Sequence, residues 1–506
     1  LGMLGDKGQR VLEPGEDMAA ARFFPEARIS IVENLLDGRG AADADAAIEY
    51  RREDGESRTL TWAGLRQQVA AFAAALDAQG VGEGDVVAAW MPHVPETIVA
   101  MLGAASLGAV FTSTSSDFGT AGVVDRFGQV EPAVLVAADA YLYGGKTFDR
   151  TEALAEIRSS LPSLRSLVVV SPVGPRPIGH IPDAVAWDDF VADHRGAQLV
   201  LERRPFDHPW YVLYSSGRTG KPKCMVHRTG GVLLKHLQEQ QHHCDVKAGD
   251  RLFYFTTCGW MMWNWLVSGL ASGATLVLYD GNPAHPGPEA LFDLADELDL
   301  TLLGVSAKYI DAISKSGLRP AESHRLDALR TIASTGSPLS PDGFRFVHEG
   351  IKSDVHLASV SGGTDLCGCF VGGDPTRPVY EGEIQGACLG MDIRVFDDGG
   401  GPVGVGEQGE LVCAAPFPSM PLTFWGEDGD VRYRSAYFGK FPGVWTHGDW
   451  ILQTERGWFV ILGRSDATLN AAGVRIGTAE IYRVVEQFEE VVEAVAVAQR
   501  AGVDTR

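Results

Sequence analysis

The segment YSSGRTGKPK, residues 214–223, gathers hydroxyls, glycines and cations into a few positions. It follows the apolar run WYVLY, so its glycines stand where a strand ends and the backbone must turn. That is the end of an open α/β sheet at which ligands bind. The backbone N–H groups of Ser216, Gly217, Thr219 and Gly220 can form an anion nest, to which the hydroxyls of Ser215, Ser216 and Thr219 and the ammonium of Lys223 add donors and charge. This is the chemistry of a phosphate grip. It is not a Walker loop, which places four residues between its first glycine and the Gly-Lys pair and runs straight into a helix. Here two residues separate Gly217 from Gly220, and Pro222 removes a donor just past Lys221. Alone, the segment fits an ordinary Gly/Ser turn with solvated lysines equally well. Arg218 is long and permanently charged: it either clamps phosphate with two donors or displaces a hydroxyl that would have held it.

The elements around this loop read as α/β. LTWAGLRQQVAAFAAALDAQGV (60–81) carries apolar residues at helical spacing, and DVVAAWMP follows as a strand stopped by Pro92. ETIVAMLGAASLGAV reads as a second helix and AVLVAAD (133–139) as a second strand. The alternation recurs at LRSLVVVS, WYVLYSS, ATLVLYD, LTLLGVS and LRTIASTG. Near-continuous apolar strands alternating with helices predict parallel sheets covered on both faces. From residue 384 the texture changes to short strands separated by Gly/Asp turns, an antiparallel β unit. GWFVILGRSDATLN reads as the end of a hairpin followed by a hinge, and TAEIYRVVEQFEEV (478–491) as a fresh helix. The predicted organisation is therefore a large α/β portion of two mostly parallel, helix-flanked sheets (1–383), a β-rich subdomain (384–465), and the start of a small α+β lid (466–506). The stretch 171–195, rich in proline, reads as a surface connection.

Composition narrows the chemistry. A chain of 506 residues with 45% hydrophobic residues holds about three domains or subdomains. Its formal charge of −23 repels DNA, RNA and anionic lipid, so nucleic acid is not an expected partner, whereas small anions in a lysine-lined cleft are. The seven cysteines include no C-x-x-C, which argues against a zinc ribbon or a disulfide framework and for a reducing, cytoplasmic setting. The opening LGMLGDKG does not read as a signal peptide. The uncharged stretch between Arg251 and Asp280 is broken by ASGAT and predicts a buried helix and a buried strand rather than a membrane span.

Taken with other segments in order along the chain, the loop resembles the signature of the acyl-adenylate-forming family, which includes the acyl-CoA synthetases. STGSPLSP (334–341) is similar to the family's adenine-contacting turn and SGGTD (361–365) to its Thr-Glu element, with Asp365 in the acidic place. GELVC (409–413), WTHGDW (445–450) and GRSDATLNAAGVRIGTAEIY (463–482) follow, so the resemblance spans roughly residues 28 to 498. Within the family, TTCGWMMWNWLVSGLASGATLVLYDG, PVYEGEIQG and AYFGKFPGVWTHGDW resemble a branch that activates acetoacetate.

The resemblance implies a carboxylic acid and ATP giving an acyl-AMP and pyrophosphate, then a thioester with CoA, with Mg²⁺ assisting. It implies that Gly217, Thr219, Gly220 and Lys223, beside Ser216, cradle the β- and γ-phosphates, and that Gly363 and Thr364 meet the α-phosphate. Asp365 would hold Mg²⁺, a hard cation suited to carboxylate and phosphate oxygens; outside this ordered set a Thr-Asp pair would read as a helix cap. Asp449 would accept the ribose hydroxyls, Arg464 and Arg475 would meet ribose and phosphate, and Gly336, Ser337 and Pro338 would line the adenine slot. Asp466 matches the hinge of the lid. For the acid, Trp260, Met261, Met262, Trp263 and Thr335 form the expected wall, although a Trp/Met cluster is also what a plain core contains. Gly362 falls where acetate-activating relatives carry a tryptophan, and the missing indole implies room for a four-carbon keto acid. Asp117, Lys146 and Gly473 fall near the family's CoA positions, with a solvated surface lysine the alternative for Lys146.

Two departures stand out. Arg218 replaces the hydroxyl residue common in relatives, and no lysine follows Lys440, although the family's adenylation lysine lies near the end of the lid. The expectation is a chain that continues past Arg506, which an intact mass would check. Two rivals accompany the main reading: a ligase for another short or branched acid, and a degenerate nucleotide-binding protein. A monomer is compatible with the sequence, which sets no oligomeric state.

Overall fold

The computed structural model describes residues 1–215 and 222–465, and beyond them Val485 and the backbone of the strands Thr468–Ala471, Val474–Gly477, Arg500–Ala501 and Asp504–Thr505. Ser216, Gly217, Arg218, Thr219, Gly220, Asp466 and Gly473 lie outside the described residues, as does the helix expected over 478–491 apart from Val485.

Two large sheets form the frame. The first has eight strands in the spatial order Ala184–Ala186, Ser166–Val170, Val134–Ala138, Val86–Met91, Val110–Ser115, Pro209–Ser215, Lys223–Arg228 and Thr423–Phe424. Its first six strands run parallel and its last two pairings are antiparallel. The second has seven, in the order His356–Ser359, Thr331–Thr335, Leu302–Ser306, Arg251–Tyr254, Thr275–Asp280, Ala46–Arg52 and Ser57–Thr61, parallel except at the last pair. Val86–Met91 and Val134–Ala138 are buried throughout, as strands covered on both faces must be.

Helices fill the space between and around the sheets. Trp62–Ala78 begins where the Thr61 hydroxyl accepts the Gly64 N–H at 3.1 Å, and it buries Leu65, Val69, Phe72 and Leu76 at helical spacing. Pro95–Ser106 is buried along its length and starts with proline, whose missing N–H costs nothing in a first turn. One continuous core joins these helices to strands of both sheets.

Several local expectations need correction. The helix expected from Glu96 to Val110 ends at Ser106, and Val110 opens the next strand. The uncharged stretch after Arg251 contains a further strand, Arg251–Tyr254, ahead of the short helix Met261–Val267 and the strand Thr275–Asp280. The 171–195 stretch is more than a connection: it supplies the edge strand Ala184–Ala186 and a helix whose Trp187 stacks on Phe72 with ring centroids 4.6 Å apart. Among the described residues, no helix is long and apolar enough to cross a membrane.

Past residue 384 the chain is β-rich. Ile393–Phe396, Gln408–Cys413, Trp445–Gln453 and Phe459–Arg464 form a four-stranded antiparallel sheet. A three-stranded sheet pairs Gly368–Gly372 with both Ser361–Gly363 and Gly386–Ala387, so backbone pairing crosses the boundary expected at residue 384. The region also contributes Thr423–Phe424 to the edge of the first large sheet and a helix, Gly429–Phe438, that its turn-rich sequence does not announce.

Candidate active site

The phosphate-grip segment connects two paired strands. Its two arms, Pro209–Ser215 and Lys223–Arg228, are antiparallel, with Ser215 opposite Lys223 and Tyr214 opposite Cys224. The segment is therefore flanked by two antiparallel strands at the end of a parallel run, not by a strand and a helix as a Walker loop is. Lys223 leaves the turn with its ammonium 5.5 Å from the Tyr437 ring centroid and 5.8 Å from that of Phe424.

Asp365 faces this exit. Burial alone would raise its carboxyl pKa, but His447, the Tyr437 hydroxyl, Lys223 and Arg464 outweigh it and hold the group below the usual carboxylate range. Tyr437 donates its hydroxyl to Asp365 Oδ1 and is itself fixed by stacking on Trp445, with centroids 3.8 Å apart and planes 9° from parallel. Asp365 is thus an ionised, oriented carboxylate. Among the described residues no three His, Cys, Asp or Glu side chains are grouped to hold a metal by themselves. A single oriented carboxylate suits Mg²⁺, which takes one or two protein oxygens and completes its shell with phosphate and water.

Asp449 and Arg464 sit opposite each other across adjacent strands, with Arg464 Nη1 3.3 Å from Asp449 Oδ1. Asp449 is buried while Arg464 is exposed, so the arginine covers a buried carboxylate at the surface of the strand pair. His447 lies on the same strand. Its Nε2 is 3.6 Å from Asp449 Oδ2, its ring meets Phe370 edge-on at 4.6 Å, and neither ring nitrogen has a hydrogen-bond partner among the described residues. Beneath them is Glu410, almost fully buried. Its Oε1 accepts the Gly448 N–H and the Ser465 hydroxyl, each at 2.9 Å, and its Oε2 accepts Lys440 at 2.8 Å. The Ser465 N–H returns to Gly448 O at 2.8 Å, which closes the brace.

Glu410, Tyr437 and His447 were not singled out by sequence reasoning, although GELVC and WTHGDW were. A glutamate in the middle of a strand reads as solvent-facing, and only its burial reveals the brace. Another buried base, His227 on the strand after the grip, is pushed down to about 3 by burial and is neutral.

The acyl-side residues divide. A cleft is lined by Ser113, Tyr214, Ser215, Cys258, Trp260, Met261 and Thr364, which brings the expected Trp260, Met261 and Thr364 together beside the grip. Gly336 borders it: a Cβ built there lies 3.7 Å from Trp260 Cζ2. Ser337 and Pro338 are exposed beside it, and Thr335 donates its hydroxyl to Val360 O at 3.0 Å. Met262 and Trp263 are set back from this cleft. Met262 lines a separate internal cavity, and Trp263 is fully enclosed 6.2 Å from Phe111.

Gly362 requires a correction of reason. A Cβ at this position would lie 1.9 Å from Gly368 O and 2.5 Å from Cys369 Cα, so the close approach of the neighbouring strand demands glycine here. The missing side chain marks backbone contact across a bulged pairing, not vacated pocket space. Gly363, next to it, faces the charged cluster: a Cβ there would lie 3.0 Å from His447 Cε1 and 3.2 Å from Asp365 Oδ2.

Asp117 and Lys146 are both exposed; Lys146 opens the strand Lys146–Asp149 opposite Tyr143, and Asp117 is close enough to act on the Tyr143 hydroxyl. Arg475 is placed only by its backbone register opposite Asn470.

Comparison with known proteins bears on the chain as a whole. The AMP-binding enzyme family matches residues 38–420. The chain is 52% identical to "Acetoacetyl-coenzyme A synthetase" of Rhizobium meliloti over 98% of its own length and 76% of that protein. It is 46% identical to "Acetoacetyl-CoA synthetase" of Gallus gallus over 94% of this chain and 72% of that one. Its fold is similar to the solved "Acetoacetyl-CoA Synthetase from Streptomyces lividans", with a TM-score of 0.89, 45% identity, and coverage of 96% of this chain and 74% of that chain. With a family match over residues 38–420 and relatives 52% and 46% identical over nearly its whole length, this chain belongs to the AMP-binding enzyme family.

Proposed function

We infer that this protein is an acid–thiol ligase that activates acetoacetate with ATP, giving acetoacetyl-AMP and pyrophosphate, and then transfers the acyl group to CoA. The observation that carries this reading is the fixed carboxylate of Asp365 between Lys223 and the Asp449–Arg464 pair, in a chain 52% identical to an acetoacetyl-coenzyme A synthetase.

The acetoacetate oxygen attacks the α-phosphorus and the bond to the bridging oxygen of pyrophosphate breaks. The site must hold three phosphates and stabilise charge on a crowded centre. Lys223, with Ser216, Gly217, Thr219 and Gly220, takes the β- and γ-phosphates. Gly363 lets the nucleotide approach while the Thr364 hydroxyl donates to the α-phosphate. Asp449 accepts the ribose hydroxyls, with Arg464 setting its orientation, and Arg475 adds charge from the segment beyond the hinge at Asp466. Gly336, Ser337 and Pro338 flank the adenine. Asp365 holds Mg²⁺, which when bound offsets phosphate charge. Trp260 and Met261 exclude water from the acid, with Thr335 at its edge. In the second half-reaction the CoA sulfur attacks the acyl carbon and AMP leaves with its bonding pair. CoA enters past Asp117, Lys146 and Gly473.

Pyrophosphate release across acetoacetate, acetate, butyrate and 3-hydroxybutyrate, with and without CoA, tests the reading. Acetoacetate should give the highest kcat/KM. Nucleotide binding with no acid-dependent pyrophosphate would reduce the protein to a nucleotide binder.

A further inference from the structure

Glu53, nearly buried, follows directly on the strand Ala46–Arg52 of the second sheet. Its carboxylate accepts three backbone N–H groups: Gly144 at 2.9 Å and Asn282 at 2.7 Å on Oε2, and Gly145 at 2.6 Å on Oε1. Its own N–H donates to Asp280 O at 3.0 Å, which ties it to the neighbouring strand. Gly144 and Gly145 are the two turn residues of the hairpin that joins Ala140–Tyr143 to Lys146–Asp149. Their φ angles of +60° and +73° are those of a two-residue turn with both residues left-handed. The hairpin extends from Val134–Ala138 of the first sheet, so an acid from one sheet pins a turn that belongs to the other.

The first residue after that turn is Lys146, exposed on a strand whose four residues all face solvent. A two-stranded hairpin is marginal by itself. In this one Tyr141 stacks on Phe148 across the strands, and the turn is held by a charged acceptor shared by both turn N–H groups, a stronger restraint than neutral hydrogen bonds would give.

We propose that Glu53 is a positioning residue for CoA: by clamping the Gly144–Gly145 turn, it sets where Lys146 meets the cosubstrate. This rests on the reading of Lys146 given above. Replacing the carboxylate by an amide removes the charge that the three N–H groups share, and the turn with its lysine relaxes, while Lys223, Asp365 and Asp449 are untouched.

The test is a kinetic split on the full enzyme. Glu53→Gln should raise KM for CoA about tenfold, the scale of one lost charge-assisted hydrogen bond. Acid-dependent ATP–pyrophosphate exchange, measured without CoA, should stay within about twofold. Glu53→Asp, which keeps the charge, should fall between Gln and wild type. Lys146→Met should also raise KM for CoA, and adding Glu53→Gln to it should raise it by much less than the product of the two single effects. An unchanged KM for CoA in Glu53→Gln, beside a raised one in Lys146→Met, overturns the clamp. So does an equal loss in exchange and thioester formation, which marks a merely structural residue. If Lys146→Met alone has no effect, CoA does not meet this turn and the proposal falls with that placement.

Discussion

The two sides of the cleft are built on opposite principles. On the nucleotide side, charged groups are braced from below: Glu410 ties Gly448, Ser465 and Lys440 together, Tyr437 orients Asp365, and Arg464 faces Asp449. On the acyl side, Trp260 and Met261 offer apolar surface, held by packing such as the edge-on contact of Trp260 with Tyr254 at 6.0 Å. Fixed dipoles and charges stabilise developing charge without reorganising, so on the proposed function the braced side should govern rate. Apolar walls discriminate acids by increments of a methylene, so on the same proposal the other side should govern selectivity, and only weakly.

If this contrast is right, the largest loss should come from Asp365→Ala. Adenylation should fall about 10²–10³-fold, the scale of losing one preorganised electrostatic group, with the fold retained by circular dichroism. Comparable activity in this variant would break the contrast outright. Glu410→Ala comes next. It strands the Gly448 N–H and the Ser465 hydroxyl, and should cost about 3 kcal/mol in denaturant unfolding together with a loss of adenylation. A stability loss with full activity per folded molecule would separate the brace from the chemistry.

Tyr437→Phe is a finer probe, since it removes one hydroxyl and should slow adenylation about tenfold. It also moves the pH profile. The Asp365 carboxyl is held below its ordinary range, so its contribution is present above that range and is lost as pH falls through the depressed value. Removing the Tyr437 donor raises that value, and the acid limb of kcat/KM should shift to higher pH. A limb that stays in place would show that the hydroxyl does not control the acid. The smallest effect belongs to the acyl side. Thr335→Ser removes one methyl while keeping the hydroxyl, and should change the acetoacetate-to-butyrate preference about fourfold with KM for ATP unmoved.

Legibility in the sequence follows the same divide. Strands such as Val134–Ala138 and Thr275–Asp280 announced themselves because burial on both faces demands unbroken apolar runs. The helix Gly429–Phe438 did not, because GDVRYRSAYF has no apolar stripe; it is held by Tyr433 and Tyr437, which pack on Phe424 and Trp445 from elsewhere in the chain. Asp365, Asp449 and Arg464 stand out through their surroundings in sequence, and the fold brings them near one another. Glu410 and His447 do not stand out, since burial of a charged or polar side chain within a strand depends on what lands above it. Gly362 was noticed for the wrong reason: a local comparison cannot show that Gly368 and Cys369 press against it.

The edge strand Thr423–Phe424 pairs with Lys223–Arg228, far earlier in the chain. Of the two strands flanking the grip segment, Pro209–Ser215 has its neighbour Val110–Ser115 early, but the outer one, like the charged set of Tyr437, Asp449 and Arg464, is completed only when the last part of the chain is made. A nascent chain ending before Thr423 has every other strand of the two large sheets but lacks Tyr437, Asp449 and Arg464, so the proposed nucleotide site is assembled last.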